Sequence, residues 1–386
     1  MLAVGRIHRL DDRIAKIVIV LMAIGTVFVY SASTDLGQEL NLKRFYAHPG
    51  LRQIVYFPVA CLVMFMLSAI NHKHLSFAQG VWRSFTPYLL ILSLILLAIV
   101  LIPRLGTQVN YARRWIRVPI GPARISFQPS ELAKWACIFF LAAVCAKNDF
   151  QIKSFWKQFV PICAVVGACV GMIVGEDFGT AAFIVLLSFC MLLIGGAKWW
   201  HLLSPLPLVI ALFFVMLLQS PHRVERIKAF LDPEQHSAST AYQATQSKVA
   251  LGSGGLWGKG LGNGVSKYGH LPEDTTDFVF AIIGEELGLV GTTSVILLFI
   301  AFIWMGSLVV IRSKEGFSQL LAGGIVLAIS LQAALNIGVV TVVLPTKGIP
   351  LPFLSGGGSS LLVSAAAVGV LLNIAKQTAD TEPAKS

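Results

Sequence analysis

Charge is scarce in this chain. Asp, Glu, Lys and Arg make up 13% of its 386 residues, against about a quarter in a soluble domain. With 56% apolar residues and a mean hydropathy of +0.76, that shortage excludes a soluble domain carried on one anchor. The alternating pattern of a membrane β-barrel is missing too. Cysteine outside apolar runs is lacking: Cys61, Cys137, Cys145, Cys163, Cys169 and Cys190 all lie within them, and none forms CxxC. This argues against a disulfide framework and a thiolate metal site. The eight histidines show no HExxH spacing. No GxSxG elbow is present, and no internal repeat. The glycines from Gly252 to Gly264 fail the phosphate-loop pattern, because Ser253 stands at its first glycine and Gly260 follows Lys259. That stretch reads as a flexible or re-entrant loop. No small-residue cleavage site follows the first apolar run, so that run is expected to remain as a span.

What is present is a series of apolar runs near 20 residues. In lipid, backbone N–H and C=O groups must be paired internally, so such runs form helices. The expected fold is an all-α polytopic membrane protein with ten transmembrane helices. They lie near 14–32, 52–70, 86–103, 130–147, 158–174, 178–197, 201–219, 284–312, 317–343 and 357–375. One large external loop, about 220–280, separates helices 7 and 8. Residues 1–13 form a cytoplasmic N-terminus, 14–375 the membrane domain and 376–386 a disordered cytoplasmic tail. Lysines and arginines in the basic N-terminus and in the short loops place both termini in the cytoplasm.

Polar residues then mark where chemistry could sit. The 220–280 loop is long for a segment without its own core, and such loops usually carry function. It ends in Glu273, Asp274 and Asp277. Asp277 precedes the apolar run FVFAII. It reads first as an N-cap for a helix from Phe278, and second as a partly desolvated general base. Arginines in the 104–129 loop, including Arg113 and Arg114, lie on the external side, where the positive-inside rule disfavours them. They suit a phosphate or pyrophosphate partner, or lipid headgroups. Glu131, Lys134 and Asp177 lie at membrane depth, as a substrate or proton pathway or as a buried cluster locking three spans. LPTKGIPLPFLSGGGSS, Leu344 to Ser360, cannot form a regular helix and should line a cavity or be buried in protein. Its Lys347 is either a cation at that cavity or a snorkelling lysine.

Several of these segments, in order, resemble the SEDS family (shape, elongation, division and sporulation). They are VNYARRWI, FQPSELAK, EDFGTA, RVERIKAFLDP, LPEDTTDFVFAIIGEELGLVG, QAALNIGVV and LPTKGIPLPFLSGGGSS. The resemblance covers about 14–375. LPTKG and FQPSELAK look like the division branch, and GIPLP is closer to the elongation branch. Gly356 and Thr275–Thr276 depart from the usual pattern. The resemblance implies an inverting peptidoglycan glycosyltransferase that polymerises lipid II on the external face of the bacterial cytoplasmic membrane and releases undecaprenyl pyrophosphate. Asp277 would be the catalytic base. Arg113, Arg114, Arg223, Arg226, Lys347, Glu273 and Ser355 would bind substrate. The growing glycan strand, a class B penicillin-binding protein transpeptidase and other division proteins would be its partners, with no nucleic acid. A divalent cation, magnesium or manganese, could assist, though the sequence shows no clear ligand set. The rival is a lipid II flippase using Glu131, Lys134 and Asp177.

Overall fold

A computed structural model describes residues 10–33, 48–109, 112–120, 123–147, 152–232, 240–267, 275–345 and 348–380. Helices α1 (Leu10–Ala32), α2 (Pro49–Ala69) and α3 (Thr86–Leu101) come first. Strands β1 (Gly106–Val109), β2 (Ala112–Ile120) and β3 (Ala123–Phe127) follow. Helices α4 (Pro129–Lys147), α5 (Val160–Val174), α6 (Phe178–Ile194), α7 (Trp199–Leu203) and α8 (Leu206–Leu218) lead to α9 (Pro221–Leu231) and α10 (Thr240–Ser253). Helices α11 (Val279–Arg312), α12 (Gly316–Val340) and α13 (Gly358–Asp380) close the chain.

Among the described residues, eight helical segments are long and apolar enough to cross a membrane. Two more, Thr86–Leu101 and Phe178–Ile194, are apolar but shorter. At 1.5 Å per residue they span about 24 and 26 Å, under the roughly 30 Å of a hydrocarbon core. Eight of the ten expected spans therefore meet the length of a crossing helix. Helices α4, α12 and α13 form the buried centre, and α1 and α11 pack around it. By contrast, α8 buries none of its side chains.

Four expectations are corrected. The 104–129 loop is a three-stranded antiparallel sheet in the order β1-β2-β3. The 220–280 loop contains α9 and α10, and its glycine-rich part is docked, not loose: Lys259 N donates to the Glu285 carbonyl and Gly260 N to the Glu286 carbonyl, both at 3.0 Å. The helix expected from 284 begins at Val279 and breaks at Gly288, whose φ of 66° and ψ of −157° are non-helical. A side chain there would also collide with Gly258 N, only 2.4 Å from a built Cβ, so only glycine fits. Finally, α13 runs to Asp380, so the first residues of the expected tail are helical.

Candidate active site

Asp277 is half-buried, just before the N-terminus of α11. The N-cap position is Phe278, whose own side chain makes no capping hydrogen bond. Asp277 stands one residue before it and is not the N-cap residue expected for this helix. What fixes Asp277 is its main chain. Asn336, buried on α12, donates from Nδ2 to the Asp277 carbonyl and to the Ile349 carbonyl, both at 2.8 Å. Gly356 N donates to the Thr275 carbonyl at 2.8 Å. Gly348 passes so close that a built Cβ would lie 2.9 Å from Asp277 Oδ2. The irregular segment between α12 and α13 is thus sewn to the approach to α11. From Leu351 to Ser355 it is buried in protein, as broken backbone in lipid requires. Ser355, expected to bind substrate, is buried, and its hydroxyl accepts from Leu351 N at 2.7 Å. It closes the turn of this segment.

Arg226 lies within electrostatic reach of both Asp277 and Arg114. Arg226, on α9, is exposed to solvent. Desolvation by neighbouring protein, then the like charge of Arg114, lower its guanidinium pKa, while Asp277 opposes the shift. On β2, Arg114 Nε donates to the Glu176 carbonyl at 2.7 Å, and its Nη1 lies 3.9 Å from Asp177 Oδ1. Arg113 N donates to Glu176 Oε2 at 2.6 Å. The sheet and the α5–α6 turn therefore hold the arginine pair. The backbone of Arg223 lies on α9, one turn before Arg226. Glu273 and Lys347 lie outside the described residues.

The intramembrane charges form two groups, not one. Lys134 Nζ donates to Glu131 Oε2 at 2.8 Å and to Gln332 Oε1 at 2.9 Å. It also lies over the Trp135 and Phe183 rings. Gln332 Nε2 reaches the Pro350 carbonyl at 2.9 Å, tying this network to the Asp277 segment. Asp177 stands apart as the N-cap of α6, accepting from Thr180 N at 3.1 Å and from Gln128 Nε2 at 3.2 Å.

Two ion pairs were missed in the sequence. Lys259 meets Glu285 at 2.6 Å, and Val265 N and Ser266 N also donate to that carboxylate. Lys267 meets Glu286 at 3.1 Å with both side chains sealed from solvent, and Ser31 of α1 donates to the same carboxylate at 2.8 Å. These pairs anchor the glycine-rich segment to α11. Their signal was two loop lysines facing a Glu–Glu step in an apolar run. Among the described residues, no three His, Cys, Asp or Glu side chains converge on one point.

Residues 12–380 match the FtsW/RodA/SpoVE family profile, described as cell cycle protein. The chain is 37% identical to a probable peptidoglycan glycosyltransferase FtsW of Coxiella burnetii, over 93% of this chain and 94% of the relative. It is 36% identical to stage V sporulation protein E of Bacillus subtilis, over 95% and 97%. It superposes on a chain of a solved peptidoglycan synthase complex that coordinates polymerization and crosslinking, with TM-score 0.73, 26% identity and coverage of 95% and 97%. The rod shape determining protein RodA of Thermus thermophilus gives TM-score 0.65 at 25% identity, over 94% and 96%. Matched along almost its whole length by family, relatives and fold, this multi-pass membrane protein belongs to the FtsW/RodA/SpoVE family of cell cycle proteins.

Proposed function

We propose that the chain is a peptidoglycan glycosyltransferase acting in cell division, polymerising lipid II at the outer face of the bacterial cytoplasmic membrane. Both termini are then cytoplasmic, and the Asp277 end faces out. The observation that carries this reading is the grouping of one carboxylate with two arginines: Asp277 and Arg114 both act on Arg226. A carboxylate near two guanidinium groups suits a reaction that deprotonates a hydroxyl and expels a pyrophosphate.

In this reading Asp277 takes the proton from the 4-hydroxyl of GlcNAc on the acceptor lipid II. That oxygen forms a bond to the anomeric carbon of the MurNAc ending the donor strand, from the face opposite the leaving group. The bond from that carbon to the undecaprenyl pyrophosphate oxygen breaks, and the configuration inverts. Arg114 and Arg226 stabilise the charge on the departing pyrophosphate, where arginine's planar fork can pair two oxygens. Arg113, Arg223, Glu273 and Lys347 complete the substrate contacts. The relatives' names support glycosyl transfer, and the synthase complex supports a transpeptidase partner, a class B penicillin-binding protein.

The test uses purified protein with that partner and lipid II in detergent, where sidedness is lost and flipping cannot register. Glycan strands should form, and Arg226→Ala should form them at least tenfold more slowly. No polymer from the wild-type pair would overturn the reading in favour of a lipid II flippase.

A further inference from the structure

The end of the bundle opposite Asp277 carries a second built surface. Residues 176 and 177, at the far end of α5, stand with Arg113 and Arg114. Helix α5, 15 residues and thus about 22 Å long, separates them from the turn at Phe155–Phe159. Ile152 pairs with Ala197 in a parallel bridge. The bridge sets the 152–159 segment beside the start of α7. His201 of α7 then packs on Phe155 and on Phe159, each at 5.5 Å between ring centres. Two short segments, remote in sequence, are locked side by side.

What they present outward is uniform. Trp156 is 76% exposed, Trp199 61% and Trp200 81%. Lys153, Lys157 and Lys198 are exposed among them. Neither 152–159 nor 197–203 contains a carboxylate. The nearest in sequence, Asp149, lies outside the described residues. The lysines sit on segments held from within: Gln158 Oε1 accepts from Lys153 N at 2.8 Å and from Ser154 N at 3.0 Å.

We propose that this knot is a binding site for anionic phospholipid headgroups. Tryptophans favour the membrane–water boundary. A zwitterionic leaflet would gain from them, but would not need three ammonium groups on segments that themselves carry no carboxylate. A negatively charged leaflet uses both, and basic pockets at helix ends bind such headgroups. The site adjoins a thinly packed part of the fold. Helix α8 buries none of its side chains, and α7 is the element that introduces it. A lipid clamp on α7 fixes one end of α8, whose other end leads into α9 and Arg226.

The test titrates the purified full chain, in detergent micelles, with phosphatidylglycerol or phosphatidylcholine, and counts retained lipids by native mass spectrometry. The wild type should retain phosphatidylglycerol in clear preference, and 1 M salt should abolish the preference. The triple variant Lys153→Gln/Lys157→Gln/Lys198→Gln should bind phosphatidylglycerol about a hundredfold more weakly, about fivefold per lysine, with phosphatidylcholine unchanged. Lys73→Gln/Arg83→Gln, basic residues elsewhere at this end, should cost less than fivefold. Equal retention of both lipids by the wild type, or an undiminished preference in the triple variant, overturns the proposal.

Discussion

Asn336 grips Asp277 by its carbonyl, not by its carboxylate. One amide nitrogen, buried on α12, donates at 2.8 Å to Asp277 and at 2.8 Å to Ile349. A single side chain thus sets the spacing between the α11 entry and the irregular segment before α13. Asn336→Leu removes both donations and leaves two carbonyls to find other partners. The expected result is a loss of about 1–3 kcal/mol of stability and a fall of about a hundredfold in polymerisation rate, since a shift near 1 Å can cost that much. Thermal melts and single-turnover rates on the same preparation check it. A rate unchanged from wild type would separate Asn336 from the site.

Lys134 is a fully buried cation between Glu131 and Gln332. Removing one partner of a buried ion pair typically costs about 3–5 kcal/mol, because the other charge is stranded. Lys134→Met should therefore lower the melting temperature strongly. Lys134→Met/Glu131→Leu should recover much of that loss without recovering full activity, because Gln332 would still lack its tie. Stability that falls further in the double variant would contradict the pairing.

Gly348 gives a cleaner separation of fold from chemistry. A Cβ built on it would lie 2.9 Å from Asp277 Oδ2. Gly348→Ala adds one methyl against a carboxylate and should displace it by a few tenths of an ångström. Polymerisation should fall at least tenfold while the melting temperature moves by only a few degrees. Equal losses in both would mean that the segment, not the carboxylate, gave way.

His72 supplies a pH dependence. It is buried beyond the end of α2, with Nδ1 2.8 Å from Asn373 Oδ1 and Nε2 2.7 Å from Ser318 Oγ. Burial holds its pKa below 6.5, against the opposing pulls of Asn373 and Glu315. The unfolded chain therefore takes up a proton near pH 6.5 that the folded chain refuses. His72's contribution is complete above pH 6.5 and is lost as pH falls towards the lower folded pKa. The melting temperature of wild type should drop between pH 7 and 5.5, and His72→Gln should show a smaller drop. Identical slopes would remove His72 as the cause.

Much of this was legible because it rests on local chemistry. Long apolar runs place helices without knowledge of their neighbours. Pro345, Pro350 and Pro352 forbid a helix wherever they fall. Asp277 stands out as a carboxylate against lipid-loving sequence. What stayed hidden depends on distant partners. The sheet is set by pairings such as Arg117 with Ser126, which no alternation in ARRWIRVPI announces. The docking of the glycine-rich segment relies on Lys259 with Glu285, and on Ser31 with Glu286, 255 residues apart. Gly288 reads as one more glycine in an apolar span, because its φ of 66° and its close approach to Gly258 depend on a segment 30 residues away. The N-cap reading of Asp277 failed by one position, because the helix starts after Phe278.

The most direct measurement compares Asp277→Asn with wild type in lipid II polymerisation. Asparagine keeps the size of the side chain and one acceptor oxygen, but replaces the other oxygen with an NH2 donor and cannot take a proton as a carboxylate does. If Asp277 is the base, polymerisation should fall by about a hundredfold or more, with the melting temperature unchanged. Asp277→Asn polymerising at the wild-type rate would contradict the account.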